Sequence, residues 1–404
     1  MKRSDLYRVL VPLVAVLLLS PVAAHAQPAV QCPGDTNGDA VIDTPDPAHP
    51  NAKCIHLSSG DGFVTMADGK LQYMFGFADM TGLPPTHVMN AGVLAAALPA
   101  PTIVVNEGDE LYLNLTNVGM VMRPDLFDAH TIHWHGFPQA SSVMDGVPDS
   151  SLGINMGGTF TYYYQVNDPG TYMYHCHVEA TEHMQMGMYG NLYVHPAQDG
   201  TPFVYKGRTY TQFVYNDGDG STGYDVEFPV QLNAFDSKFH DASAAVQPLP
   251  FASMKDDYFM INGRGYPDTL VPGALTPPSE NGGKLSQSVN SLIEANAGER
   301  ILLRISNLSV TEFNTMATLG IPMTVVGKDA QLLRGPSPDG GITPGKDLYY
   351  QTNSLMVGGG ESFDVILDTA GIAPGTYFFY TTNLHHLSNN NEDLGGMMTE
   401  IIIH

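Results

Sequence analysis

An all-β chain built of two related sandwiches is predicted by three features of the sequence. Its 404 residues include 42 Gly, 29 Pro and 20 Tyr but only 14% charged side chains, the balance of short strands joined by turns. A chain of this length has room for two domains of ordinary size, each burying its own core. An internal repeat is the third feature. The stretch from Asn106-Glu-Gly108 to Asn117 is matched by Asn296-Ala-Gly298 to Asn307 with the same Gly-to-Asn spacing, and Asp168-Pro-Gly-Thr-Tyr172 is matched by Ala373-Pro-Gly-Thr-Tyr377.

From the N-terminus, the first element reads as an export signal. Met1-Lys2-Arg3 and Arg8 precede the apolar run Val9 to Leu19, and Ala24-His25-Ala26 offers small-x-small cleavage before Gln27, so residues 1–26 are expected to be removed. The run is shorter than the roughly 20 apolar residues that span a bilayer. A periplasmic or extracellular protein with no membrane span is expected. Residues 27–60 then form a polar extension. Of three cysteines, Cys176 belongs to the cluster described below, leaving Cys32 and Cys54 as an expected disulfide in an oxidising compartment. Asp35, Asn37, Asp39, Val41, Asp43 and Asp46 stand at the oxygen-ligand positions of an EF-hand-like calcium loop. Ala40 takes the place of the usual glycine and Asp46 that of the longer Glu, and a solvated acidic loop is the alternative.

The first sandwich, residues 61–197, carries the chemistry. His175-Cys176-His177 is followed by His183 and Met188, and a second segment offers His130, His133 and His135. One thiolate, two imidazoles and a weak thioether are the ligands of mononuclear electron-transfer copper. Side chains alternate along a strand, so His130 points away from His133 and His135, and Cys176 away from His175 and His177. Pairing the two strands therefore puts two sites back to back. His130 joins Cys176 on one face, His133, His135, His175 and His177 gather on the other, and the covalent path from Cys176 links them. A lone cysteine or histidine is more often packing than ligand, but here they cluster with consistent parity.

These motifs, His130-Thr-Ile-His133-Trp-His135-Gly136 and His175-Cys176-His177 with His183 and Met188, resemble the paired copper motifs of the multicopper oxidases. The resemblance implies two tandem cupredoxin-like Greek-key domains. It makes His130, Cys176, His183 and Met188 type 1 copper ligands, and His133, His135, His175 and His177 ligands of a type 2/type 3 cluster. Met144-Asp145-Gly146-Val147-Pro148 resembles a family segment whose acid, here Asp145, helps deliver protons to oxygen. An Asp-Gly pair is also an ordinary turn.

The second sandwich, residues 201–404, is expected to have lost most of its ligands. On the repeat, Asn314, Ala317 and Leu319 replace His130, His133 and His135, and Tyr380-Thr381-Thr382 replaces His175-Cys176-His177. His385 and His386 remain and are the expected candidates for ligands donated to a neighbouring subunit, since the two-domain relatives are commonly trimers. A long insertion, Asn216 to Gln287, is expected between the repeat units, and Asn262-Gly-Arg-Gly within it reads as structural.

A formal charge of −24 makes nucleic acid and anionic membranes unsuitable partners, and an acidic surface favours solubility and cationic reductants. The expected activity is that of an exported copper oxidoreductase taking single electrons from a small molecule, metal ion or redox protein and passing them to dioxygen. The alternatives are a single-copper electron carrier, a nitrite-reductase-like enzyme, and a copper storage or delivery protein. Nitrite reduction fits less well, because His133 stands where the copper nitrite reductases carry an Asp, and His177 follows the cysteine.

Overall fold

The computed structural model describes residues 29–340 and 343–404, and the expected export signal lies outside them. The first unit is a sandwich of two four-stranded sheets. One, in the order β2-β1-β4-β6, is built from β1 Ala52–Thr65, β2 Leu71–Asp79, β4 Glu110–Gly119 and β6 Thr159–Gln165. The other, in the order β3-β8-β7-β5, comes from β3 Ala100–Asn106, β5 His133–His135, β7 Gly170–His175 and β8 Tyr189–His195. Period-two patterning explains the packing. Leu111, Leu113 and Leu115 of β4 point into a core shared with Phe75, Phe77, Trp134, Tyr174 and Leu192, and the indole of Trp134 stacks on Tyr164 with centroids 4.1 Å apart.

β1 begins inside the segment expected to be extension. Ala52 to Ser59 run parallel to Glu110 to Asn117 of β4, so the sandwich starts about nine residues earlier than residue 61. The hydrogen-bonding edge of β4 has no other partner on that side, and a buried edge requires one. Cys32 and Cys54 are joined by a disulfide, which ties the remaining extension to β1.

A short hairpin, β9 Phe203–Tyr205 and β10 Arg208–Tyr210, leads into the second unit. Its larger sheet contains β11 Val226–Phe235, β12 Tyr258–Ile261, β14 Arg300–Asn307, β16 Met323–Lys328, β17 Gln331–Leu332, β18 Tyr350–Thr352, β20 Ser362–Asp368, β22 Ser388–Asn389 and β23 Glu392–Asp393. The facing sheet, in the order β13-β24-β21-β15-β19, comprises β13 Ile293–Ala295, β15 Asn314–Leu319, β19 Ser354–Val357, β21 Gly375–Thr381 and β24 Met398–Ile403.

The segment from Asn216 to Gln287 is not wholly an insertion. β11 runs parallel to β14 and antiparallel to β12, as β1 does to β4 and β2, so much of it is the opening hairpin of the repeat. The sequence hides this because β11 and β12 share no motif with β1 and β2. Asn262 is structural: with φ of 52° it turns the chain after β12, and its side chain accepts from Gln231 N and donates to the carbonyls of Pro229 and Asn290.

What lies between β11 and β12 is new. The helix α3 Ser237–Ala244, introduced after α1 Pro85–Gly92 and α2 Ala180–Gln185, is capped by the Asp236 carboxylate, which accepts from Lys238 N and Phe239 N. α3 packs on the first sandwich, with the His240 imidazole set between the carbonyls of Tyr73 and Gln185 at 2.6 and 2.9 Å.

The two units meet over a buried polar network. Arg304 of β14 is fully buried. It donates from Nε to Glu227 at 2.8 Å and from Nη1 to Thr171 of the first unit at 3.2 Å, and lies 3.6 Å from Asp364. His195, closing the first unit, pairs with Glu227 at 3.2 Å and Asp199 at 3.4 Å. The Asp199 and Glu227 carboxylates raise its pKa to about 9 against burial and the nearby Arg304. A raised folded-state value means that the stabilisation is complete below the ordinary value of 6.5 and lost as pH climbs through about 9. Thermal midpoints are therefore expected to fall between these limits, and His195→Gln to remove that part of the slope.

Among the described residues no helix is long and apolar enough to cross a membrane.

Candidate metal centres

The antiparallel pairing of β5 with β7 places His133 opposite His175 and His135 opposite Met173. His130 stands just before β5, bridged to Ile154, and Cys176 to His183 follow β7 through the turn into α2. Two sites form on the two sides of this pair.

The first is buried. The Cys176 sulfur lies 3.2 Å from His183 Nδ1 and 3.8 Å from His130 Nδ1, and receives the Thr131 N–H at 3.5 Å. Cys176, His130, His183 and Met188 are all inaccessible to solvent. Backbone bonds from Cys176 N to the Met188 carbonyl and from Met188 N to the His183 carbonyl, at 3.0 and 2.8 Å, close the ligand loop. Burial works against the thiolate, yet His183 and His130 prevail and hold the thiol well below its ordinary pKa. The pocket thus favours an anionic sulfur with positive charge beside it, the arrangement that a copper ion completes. These donors fit type 1 copper.

The outer edge of His183 faces acid. Asp128 Oδ2 lies 3.7 Å from His183 Nε2, and Asp128, Glu179 and His183 bring their ligand atoms within 4.8 Å of one another. Asp128 is a residue that the sequence did not single out. Nothing in its spacing distinguishes it from other acids, and only the fold brings it to the imidazole.

The second site gathers His133, His135 and His175, whose nitrogens lie within 4.8 Å of one another, with the His177 ring 5.1 Å from that of His133. His133 Nδ1 donates to the Asp145 carbonyl at 2.6 Å and His175 Nδ1 to the Cys176 carbonyl at 2.8 Å. Both rings therefore offer Nε2 to a metal. Burial pushes His175 down to about 3 and lowers His135, so both are neutral at pH 7 and ready to ligate. The Asp145 carboxylate lies 3.3 Å from His133 Nδ1, which makes orientation of that ring its visible contribution.

These histidines open on a cavity of about 400 Å3 whose far wall is the second unit of the same chain, through Leu308, Ser309, Val310, Gly359 and Gly360. Gly360 approaches His135 so closely that a Cβ there would lie 2.9 Å from Nε2. None of these wall residues is a ligand. The positions equivalent to the paired His133 and His175 are held in the second unit by the paired Ala317 and Tyr380, which do not line this cavity. His385 is exposed and His386 is buried, stacked on Phe259 at 3.9 Å with its Nε2 2.8 Å from Asn383 Nδ2, and neither lines the cavity. The four histidines fit one or two coppers. A cluster of three would need a second set of imidazoles that this wall does not supply.

In the acidic loop, Asp35 accepts backbone N–H groups from Asn37, Gly38 and Ala40, and Asp43 accepts from Thr36 N and Oγ1. Asn37 and Asp39 likewise accept from the N–H groups two residues on. The carboxylates of Asp35, Asp39, Asp43 and Asp46 do not converge within 4.8 Å of one another as the copper-site groups do.

Two β-sandwiches, with a buried Cys-His-His-Met pocket in the first, define a cupredoxin-fold copper protein. Family models described as multicopper oxidase match residues 83–199 and 236–403. The chain belongs to the multicopper oxidase family. It is 29% identical over 293 residues to copper resistance protein A of Pseudomonas syringae pv. tomato, covering 69% of this chain and 42% of that protein. It is 24% identical over 286 residues to multicopper oxidase MmcO of Mycobacterium tuberculosis, covering 68% and 47%. The chain thus spans less than half the length of these curated relatives. Among solved structures, the blue copper oxidase from Nitrosomonas europaea shares the fold with a TM-score of 0.59 at 24% identity, covering 86% of this chain and 85% of that one. The copper nitrite reductase from Nitrosomonas europaea does so at 0.54 and 16%, covering 86% and 93%.

Proposed function

We propose that the protein is an exported copper-dependent oxidoreductase that withdraws single electrons from a reductant at His130, Cys176, His183 and Met188 and delivers them to a second copper centre at His133, His135, His175 and His177, where dioxygen is reduced. One observation carries this reading. Cys176 is covalently joined to His175 and His177, and its carbonyl accepts the His175 Nδ1–H at 2.8 Å, so a covalent and a hydrogen-bonded path connect the two sites. Copper in the first site would supply the one-electron couple, and metal in the second a Lewis-acid template for oxygen.

The chain's own residues do the rest. Burial of Cys176 keeps water off the sulfur, Thr131 N–H steadies it, and Asp145 holds His133 in the tautomer that presents Nε2. The carboxylates of Asp128 and Glu179 at the His183 edge support electron entry there from a cationic donor. The Asp145 carboxyl, 3.3 Å from His133 Nδ1, is the proposed proton donor to oxygen.

Metal analysis with oxygen uptake tests the reading. More than one copper per chain, an intense visible thiolate-to-copper band and oxygen consumption with a one-electron reductant are expected. A single blue copper without oxygen uptake would leave an electron carrier. Colourless, readily chelated copper would leave a storage or delivery protein, and turnover of nitrite in place of oxygen a nitrite reductase.

Two finer parts of the proposal rest on the family and on spacing. Assembly as a homotrimer, with the exposed His385 offered to a neighbour's cluster, rests on the resemblance to the two-domain relatives; His386, buried against Phe259, is not placed to reach a neighbour. Calcium at Asp35, Asn37, Asp39, Val41, Asp43 and Asp46 is supported by ligand spacing alone.

A further inference from the structure

The two sandwiches correspond residue by residue in their hydrogen bonds, and the correspondence runs through the copper pocket. In the first, Cys176 N donates to the Met188 carbonyl at 3.0 Å and Met188 N to the His183 carbonyl at 2.8 Å. In the second, Thr381 N donates to the Met397 carbonyl at 3.0 Å and Met397 N to the His386 carbonyl at 3.0 Å. His130 bridges Ile154, whose carbonyl accepts from Asn117 Nδ2 at 2.8 Å. Asn314 pairs with Val357, whose carbonyl accepts from Asn307 Nδ2 at 2.8 Å.

The ring that backs the histidine also corresponds. Ser59 pairs with Asn117 as Leu232 pairs with Asn307, and two residues on, Asp61 lies opposite Phe75 as Ala234 lies opposite Phe259. His183 and His386 each meet that ring, His183 edge-on to Phe75 with centroids 5.8 Å apart and planes at 81°, and His386 stacked flat on Phe259 at 3.9 Å and 11°, so the position is shared while the imidazole plane is turned. The positions of His130, Cys176, His183 and Met188 are therefore held in the second sandwich by Asn314, Thr381, His386 and Met397.

Two of the four ligand types survive, and the cradle is closed to solvent. Asn314, Thr381 and Met397 are fully buried and His386 is 1% exposed. His386 Nε2 is engaged by Asn383, which leaves Nδ1, the atom that His183 turns on the Cys176 sulfur in the first site. His386 Nδ1 and Asn314 Oδ1 are both buried without a hydrogen-bond partner among the described residues. Orphaned buried polar atoms are rare in folded proteins and call for an occupant.

We infer that the second sandwich holds a colourless monovalent copper site at Asn314, Thr381, His386 and Met397, with His386 Nδ1 and Met397 Sδ as its donors. Loss of the thiolate and of one imidazole removes the set that stabilises blue Cu(II). What remains is one imidazole and one thioether, a pairing that suits soft Cu(I), and the carboxylate recorded against His386, that of Glu312 at 3.9 Å, faces Nε2 and not Nδ1. The inference does not depend on an oxygen-reducing centre in the first unit.

Anaerobic titration of the full chain with Cu(I), against a chromophoric Cu(I) chelator, tests it. Wild type is expected to retain one Cu(I) more than Met397→Leu, which keeps the packing volume, and more than His386→Gln. Each variant is expected to keep the Cu(II) thiolate band of the first unit as a check on folding. Equal Cu(I) in wild type and either variant overturns the site, whether the pocket then holds water or nothing. A second measurement asks whether the cradle has copper-site geometry. In a Cys176→Ser background, Asn314→His with Thr381→Cys is expected to produce an intense visible band on adding Cu(II), and a protein that stays colourless overturns the correspondence.

Discussion

A Cys176→Ser chain is expected to fold, to keep the metal held by His133, His135 and His175, and to lose the intense visible band and electron uptake completely. The sulfur, 3.2 Å from His183 Nδ1 and 3.8 Å from His130 Nδ1, is that of the only free cysteine among the described residues. A serine hydroxyl stays protonated at neutral pH and gives a hard, neutral donor in place of a soft anion, so the couple that accepts single electrons is lost. The buried hydroxyl is not left unpaired, because the His130 and His183 nitrogens that now face the sulfur can accept or share its proton. Stability reports the same loss. A ligand that binds only the folded state stabilises it by about 4 kcal/mol at a thousandfold excess over Kd. The copper-dependent rise in thermal midpoint is therefore expected to shrink sharply in Cys176→Ser, with the remainder due to the histidine cluster. An unchanged visible spectrum would place the thiolate copper elsewhere.

Replacing Arg304 with methionine is expected to give the largest loss of stability of any single change at the interface between the units. The guanidinium is fully buried, with Glu227, Thr171 and Asp364 around it, and Asp364 also accepts from Thr171 Oγ1 and Tyr215 OH at 2.5 Å each. Methionine fills the volume but leaves two carboxylates facing each other in a buried interface, and breaking one side of such a network costs about 3–5 kcal/mol. Two offsetting effects limit the damage. His195 still faces Glu227, and burial already raises the Asp364 pKa, so Asp364 takes up a proton readily once the cation is gone. The loss is accordingly expected to be larger at pH 8 than at pH 5. Denaturant midpoints followed by the visible band and by far-ultraviolet dichroism measure it, and Arg304→Met/Asp364→Asn is expected to recover part of the difference. A shift within about 0.5 kcal/mol, the size of an ordinary surface substitution, would mean that the network contributes nothing to holding the units together.

The first candidate copper site was legible because its residues are local. Cys176, His183 and Met188 fall in the short connection between β7 and β8, and His130 stands just before β5 while His133 and His135 lie on it, so alternation along an extended chain sorted the histidines into two groups before any contact was known. The pairing of His133 with His175 then brought both groups into place. The repeat was legible for the same reason, since turn residues such as Gly108 and Gly298 share a backbone requirement, with φ of 91° at both. Strands β11 and β12 were missed because a strand's place in a sheet is set by the partner it hydrogen-bonds, and many apolar sequences satisfy that.

The candidate ligand types, strand parity and the order of the repeated segments were read from the sequence alone, because covalent spacing and side-chain alternation act over a few residues. Only the tertiary structure decided what faces the four histidines, where His386 belongs, and that Asp128 stands at the outer edge of His183. Each of these depends on chain segments far apart in sequence, brought together by the burial of apolar faces in two sandwiches and by the Arg304 network between them. Burial of that kind is non-directional and recognises surface rather than motif, so it leaves no local signature to read.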